Sequence, residues 1–329
     1  MATDRAWQTW REATSRALYG PGGFFRTQAP AAHFRTSVHV SSAFADAVFR
    51  LARSAGLRAV TDVGAGRGEL LTTLHQFAQD LDLLGVEVAN RPADLPDAVG
   101  WSDVVPDTLD GLVIANEWLD DVPLDVVEVD SGGALRLVEV QVETGDERLA
   151  DPIDGRDLAW VERWWPLADA PPGSRAEVGW PRDDAWAGVV RRLRTGIAVA
   201  IDYGHLRERR PYAGTLVGYR AGRLVPPVPD GSCDLTSHVA VDAVARAGEE
   251  AGAASTVLTD QRSALRGLGV TGTRPPLTLA HADPGAYLAA LARAGEDAEL
   301  IAPGGLGDFC WLAQARNTEL PPLKIRAGG

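Results

Sequence analysis

Asp62, Gly64, Gly66 and Gly68 stand two apart across the end of an apolar run at residues 57–63. A helical pattern of Leu70, Leu71, Leu74, Phe77 and Ala78 follows at once. That order predicts a strand, a tight glycine loop and a helix. Glycine admits positive φ and leaves no Cβ between backbone and ligand. The loop falls at the carboxyl end of the first sheet strand, where open α/β sheets bind nucleotides. Its spacing differs from the dinucleotide form G-x-G-x-x-G, and the acid suits a cationic, amino-acid-like ligand. Glu87 ends a second strand, about 20 residues beyond the loop, the position from which a carboxylate reaches ribose hydroxyls. Asn116 and Glu117 end a buried-type strand at 109–115, and Asp202 and Tyr203 end another at 197–201. Polar side chains at strand carboxyl ends face the crevice of such a sheet. Asp120 and Asp121 read either as site acids or as caps of the turn after Glu117. Asp234 and His238 lie in a polar run at 230–239. His238 reads either as a proton acceptor or as a packed core histidine.

These residues need a sheet to hold them. Residues 4–18 predict a short helix, with Trp7, Trp10, Ala13, Ala17 and Leu18 near one face. A Gly- and Pro-rich loop at 19–25 follows, then a segment at 34–40. Ser41 or Ser42 caps a helix carrying Phe44, Val48, Leu51 and Ala52. This N-terminal cap (1–56) either lies over the ligand site or only covers the sheet edge. A weak strand is expected near 99–101 and a hairpin over 126–129 and 135–142. Residues 130–185 form an insertion; 143–185 are rich in Asp, Arg, Pro and Trp, and Trp164-Trp165 either line a substrate groove or pack a small subdomain. Later strands are expected at 214–220, 256–259 and 307–313, with helices at 183–193, 241–251 and 284–294. The expected architecture is α/β: one Rossmann-like domain with a seven-stranded sheet, its core at 57–129 and 186–316, and a loose tail at 317–329.

Composition narrows the function. The 329 residues are 45% apolar, enough for a substantial core, and carry a net charge of −13. That charge argues against non-specific nucleic-acid binding, which needs a basic face. Cys233 and Cys310 are the two cysteines, and they lack C-x-x-C spacing. They suggest neither a disulfide framework nor zinc, and a reducing, cytoplasmic compartment. The six histidines show no ligand spacing, so no metal is expected. No apolar run reaches the length of a membrane span, and no signal peptide is evident.

The Asp62–Gly68 spacing resembles motif I of class I S-adenosylmethionine (SAM) methyltransferases. Further segments narrow the likeness: Ala115-Asn116-Glu117-Trp118-Leu119-Asp120-Asp121-Val122-Pro123, Ile201-Asp202-Tyr203-Gly204, Thr215-Leu216-Val217-Gly218-Tyr219-Arg220 and Asp234-Leu235-Thr236-Ser237-His238-Val239. Together they resemble the MidA/NDUFAF7-type SAM-dependent methyltransferases, the DUF185 family. The likeness runs from about residue 19 to 313, with Asp62 and Ala65 where the family has Glu and Pro. It implies the class I methyltransferase fold and SAM as cofactor, with Asp62, Gly64, Gly66, Gly68, Glu87 and Asn116 around it. It also implies transfer to nitrogen, a protein arginine side chain being the substrate. Asn116, Glu117, Asp202 and His238 would be catalytic, and Glu117, Asp120, Tyr203 and Asp234 would hold the substrate. The mitochondrial member acts on a respiratory complex I subunit, and the departures in this chain leave the substrate open. A small-molecule methyltransferase and a non-catalytic assembly factor that keeps the SAM site are the competing readings.

Overall fold

The computed structural model describes residues 7–27 and 36–322. Residues 4–6 of the first expected helix, Phe34 and Arg35 of the cap segment, and 323–329 of the tail lie outside them.

The expected first helix is present but starts at residue 10, because the first described residues form a strand instead: β1 (Trp7–Thr9) pairs with a later strand. Thr9 then starts α1 (Trp10–Tyr19) by accepting the Glu12 N–H on its side chain at 3.3 Å. A β-branched residue with a hydroxyl suits both ends of that transition. α2 (Phe24–Thr27), α3 (Ser37–Val40) and α4 (Ser42–Ser54) complete the cap. Ser41 caps α4 through the Ala43 N–H at 3.1 Å, as its position before the apolar pattern predicts.

The core follows as β2 (Ala59–Val63), α5 (Glu69–Phe77), β3 (Asp82–Val86), β4 (Gly100–Ser102) and β5 (Leu109–Asn116). Next come β6 (Asp125–Val129), β7 (Leu135–Gln141), β8 (Glu147–Pro152), α6 (Gly155–Trp164) and β9 (Arg175–Val178). These four strands and β1 make a second, five-stranded sheet. The hairpin is present, but its sheet starts at Asp125, inside the segment assigned to the core, and recruits Trp7–Thr9 from the cap. Trp160 and Trp165 are buried under this sheet with Val127 and Val178. Trp164 and Trp180 pack against the same cluster, so the insertion's tryptophans build a subdomain.

α7 (Trp180–Arg192), β10 (Leu193–Asp202) and β11 (Gly204–His205) lead to a small sheet of β12 (Val217–Arg220), β13 (Arg223–Val225) and β14 (Asp234–Thr236). β15 (Val239–Ala240), α8 (Val241–Glu250), β16 (Ser255–Asp260), α9 (Gln261–Gly267), α10 (Leu277–Ala282), α11 (Pro284–Leu300) and β17 (Cys310–Arg316) finish the fold. The last strand starts three residues later than expected, because Leu306–Asp308 form a 3-10 turn ahead of it.

The central sheet has seven strands in the order β16-β17-β10-β5-β2-β3-β4. β10, β5, β2, β3 and β4 are parallel, and β17 lies antiparallel between β10 and β16. One face is covered by α4, α5 and α9 through Phe44, Leu51, Leu71 and Leu265. The other is covered by α7 and α8 through Trp186, Val190 and Val244. Strand order reverses between β2 and β5. The carboxyl ends of those two strands therefore border the crevice where α/β sheets hold ligands.

Candidate functional site

A cavity of about 510 Å³ opens at that crevice. β2 delivers Asp62 to it and β5 delivers Asn116, with Glu117 next in the chain. The loop after β2 holds Gly64, Gly66 and Gly68 at φ of 75°, 56° and 78°. A Cβ on Gly64 would lie 2.9 Å from Trp118, and one on Gly68 would lie 2.5 Å from Leu95. At Gly66 the nearest atom is a Glu69 carboxylate oxygen at 3.4 Å. Gly66 is thus the glycine that leaves room for a ligand. Gly68 does not line the cavity; it starts α5 and makes space for packing.

Glu87 braces this loop. One of its oxygens accepts the Gly66 N–H at 3.1 Å and the other accepts the Ala89 N–H at 3.3 Å. Burial raises its pKa. Asp62 is pushed up to about 8, by burial first and then by Glu69 and Glu87. Burial, the largest single influence, pushes Glu69 upward, but its hydrogen bonds with His39 and with the Glu69 and Arg67 N–H groups together outweigh this and leave the pKa lowered. Three carboxyl groups thus crowd one end of the cavity.

The other end is also acidic. Glu117 has φ of 52°, a left-handed conformation that a residue with a Cβ seldom adopts. Its N–H donates to the Ile201 carbonyl at 2.8 Å, and Asn116 Nδ2 donates to its Oε1 at 3.1 Å. Glu117 is pushed up to about 7 by burial and then by Asp120. Thr236 donates to Asp120 Oδ2 at 2.6 Å, and the Tyr203 hydroxyl bonds to the same oxygen. Asp234 is pushed up to about 8 by burial and Asp120, and Asp121 is raised by the same two causes. Oδ1 of Asp120, Asp121 and Asp234 and Oδ1 of Asn116 are buried without a hydrogen-bond partner among the described residues. Such atoms are costly unless something supplies the bond.

Of the residues singled out from the sequence, Asp62, Gly64, Gly66, Glu87, Asn116, Glu117, Asp120, Tyr203, Asp234 and His238 meet around one cavity. Asp202 does not line it. Its Oδ2 accepts the N–H groups of Leu119 and Asp120 at 3.0 and 3.1 Å, so it anchors the turn behind the wall. A catalytic contact for Asp202 is corrected to a supporting role. His238 packs edge-on to Tyr203, and burial and then Arg182 lower its pKa, so the ring is neutral.

Several site residues escaped the sequence reading. Tyr19, Thr36 and His39 bring the N-terminal cap into the cavity wall. His39 Nε2 pairs with Glu69 Oε1 at 3.2 Å and its Nδ1 with Thr36 Oγ1 at 2.8 Å. The cap therefore lies against the ligand site as well as the sheet. Glu69 follows Gly68 directly, and that adjacency was the available signal. Arg182 is 2% exposed and donates to the carbonyls of Asp120, Val122, Ser237 and His238. It ties the two acidic loops together from behind, and nothing in its sequence surroundings marks it. No cluster of metal-ligating side chains occurs among the described residues, and none of their helices is long and apolar enough to cross a membrane.

Comparison with known proteins bears on this cavity. A family model for S-adenosyl-L-methionine-dependent methyltransferases matches residues 72–259, more than half of the chain. Among solved structures, a COG1565 superfamily member from Burkholderia thailandensis bound to S-adenosyl-homocysteine is similar, with a TM-score of 0.83 and 26% identity. The match covers 100% of this chain and 92% of that one. The native structure of a COG1565 superfamily protein from the same organism gives a TM-score of 0.80 at 25% identity, over 99% of this chain and 92% of that one. No curated protein matches the sequence.

Proposed function

Because the chain belongs to the DUF185 (COG1565) family of S-adenosyl-L-methionine-dependent methyltransferases, we propose that it methylates a nitrogen of a cationic group, a protein arginine side chain. The observation that carries the substrate class is the set of unpartnered buried oxygens on Asp120, Asp121 and Asp234 beside Glu117. A guanidinium presents five N–H donors in a planar fork, and carboxylates accept them well. An aliphatic or anionic substrate would leave those oxygens unpaired.

SAM is the cofactor, and the other end of the cavity fits it. Gly66 leaves open space beside the loop, and Asp62, Glu69 and Glu87 favour a positively charged ligand. Asp62 would hold the amino-acid end, Glu87 the ribose hydroxyls, and Asn116 the middle of the cofactor through its free Oδ1. Bound there, SAM supplies a methyl group already activated by the positively charged sulfur. The protein's remaining work is alignment, which counts heavily when both reactants are held. Asp120, fixed by Tyr203 and Thr236, and Asp234 orient the guanidinium. Glu117, beside Asp120 at the acidic end, takes the proton that the nitrogen loses. A carboxyl group poised near 7 exchanges protons readily at neutral pH.

Glu117→Gln tests this reading. Methyl transfer should fall by roughly 100-fold or more, while calorimetric affinity for S-adenosyl-homocysteine stays within about threefold, less than 1 kcal/mol. Loss of both together would remove Glu117 from the substrate side. A small cationic molecule is the second reading, because about 510 Å³ lies within the range of ordinary small-ligand pockets.

A further inference from the structure

The small sheet at the cavity mouth has an open edge. β13 is its outer strand, in the order β13-β12-β14. Ala221 and Gly222 link β12 to β13 with φ of 49° and 77°, the two-residue hairpin turn that needs positive φ at both positions. That turn makes Arg220 and Arg223 the hydrogen-bonded pair nearest the loop. The next pair, Tyr219 and Leu224, is then a non-bonded one. On β12 the outward groups of Tyr219 are met by Asp234 of β14. On β13 the N–H and C=O of Leu224 point away from the sheet, with no strand beyond them among the described residues.

The two faces of this hairpin differ. Val217, Tyr219 and Leu224 line the cavity, and Leu224 is 69% exposed, which puts it at the mouth. The pleat sends Arg220 and Arg223 to the opposite face. Both arginines are exposed, stand directly across from each other, and make no ion pair among the described residues. Like charges placed opposite each other destabilise a strand pair. On a chain of net charge −13, an arginine pair with no ion-pair partner among the described residues, beside an acidic cavity, is a local reversal of sign.

The geometry points to β13 as the docking edge for an extended substrate peptide in which the cationic residue to be methylated is flanked on each side by an acidic residue. This rests on the arginine reading above and adds the partner's form. An added strand gains main-chain hydrogen bonds from Leu224. Side chains of a strand alternate between faces. A cation directed into the cavity therefore sends its two neighbours to the face of Arg220 and Arg223, where acids are favoured.

The test uses the full chain saturated with S-adenosyl-homocysteine and short fluorescent peptides with a central arginine. One peptide carries glutamate on both sides of the arginine and the other carries lysine. The glutamate peptide should bind roughly tenfold more tightly. The double variant Arg220→Glu, Arg223→Glu should reverse that order. Leu224→Pro removes the outward N–H, and backbone N-methylation of the peptide at alternate positions removes its partner. Each should weaken binding by up to about tenfold, with cofactor affinity unchanged. Equal binding of the two peptides, or peptide binding indifferent to both charge reversal and N-methylation, would overturn the docking edge. Methylation of a free guanidino compound with neither peptide bound also overturns it, yet leaves the proposed chemistry standing. Full-rate methylation by Glu117→Gln would sink the proposed Glu117 chemistry instead, while the peptide preference remained measurable.

Discussion

Glu117 combines a left-handed backbone, a buried carboxyl and a place on the cavity wall beside Asp120. Strain of this kind persists where surrounding structure imposes it, and it gathers at working sites. Here the Ile201 carbonyl fixes the Glu117 N–H from the neighbouring strand. The glycines divide in the same way at this scale. Gly66→Val places a branched side chain where the cavity is open and φ is 56°. Calorimetry should show S-adenosyl-homocysteine binding weakened by roughly 100-fold, about 2.7 kcal/mol. Gly68→Ala drives a Cβ into Leu95 instead. It should lower the melting temperature by at least ~2 °C, with a smaller loss of affinity. Identical behaviour of the two variants would contradict this division. In the sequence the three glycines are equivalent, because spacing reports that a Cβ is missing and not what occupies its place.

At the scale of elements, a side-chain pair joins the cap to the residue that follows the glycine loop. His39 lies on the short α3, and Glu69 opens α5. Their contact at 3.2 Å, with Thr36 on the other ring nitrogen, holds α3 against the cofactor end of the cavity. Ser41 Oγ adds a bond to Asp297 of α11 at 2.7 Å, so the cap is anchored on two sides. His39→Ala removes one anchor and leaves the sheet untouched. The expected result is a KM for SAM raised by roughly tenfold, the equivalent of a charge-assisted hydrogen bond, with little change in melting temperature. An unchanged KM would make the pair a surface contact of no consequence. The strands and helices of the core were legible because each carries its own period of apolar residues. The second sheet was only half legible. Its members at 7–9 and 125–178 are far apart in sequence, and Trp7–Thr9 is too short to show a period.

Charge acts at the scale of the whole molecule. Asp62 and Asp234 hold protons up to about 8 and Glu117 up to about 7, whereas in the unfolded chain such groups ionise near ~4. The folded state therefore binds more protons than the unfolded state between those limits. The stabilisation is complete below ~4 and is lost as pH rises through 7 to 8. Fluorimetric melting of the ligand-free protein at fixed salt should show the melting temperature falling from pH 5.5 to 8.5. A flat or rising profile would contradict the assigned burial of these carboxyls. Substrate binding has the opposite sense, since a cation favours the ionised acids, so affinity for an arginine peptide should rise over the same interval. The sequence alone determined the fold class, the glycine loop and the strand-end residues that meet at the cavity. Strand ends and glycine spacings are local features, and a parallel sheet collects its strand ends at one edge. Only the tertiary structure decided that Asp202 and Arg182 stand behind the wall, that the cap supplies His39, and that β13 is an open edge. Those facts depend on contacts between segments tens to hundreds of residues apart, where no local pattern records which side chain fills which space.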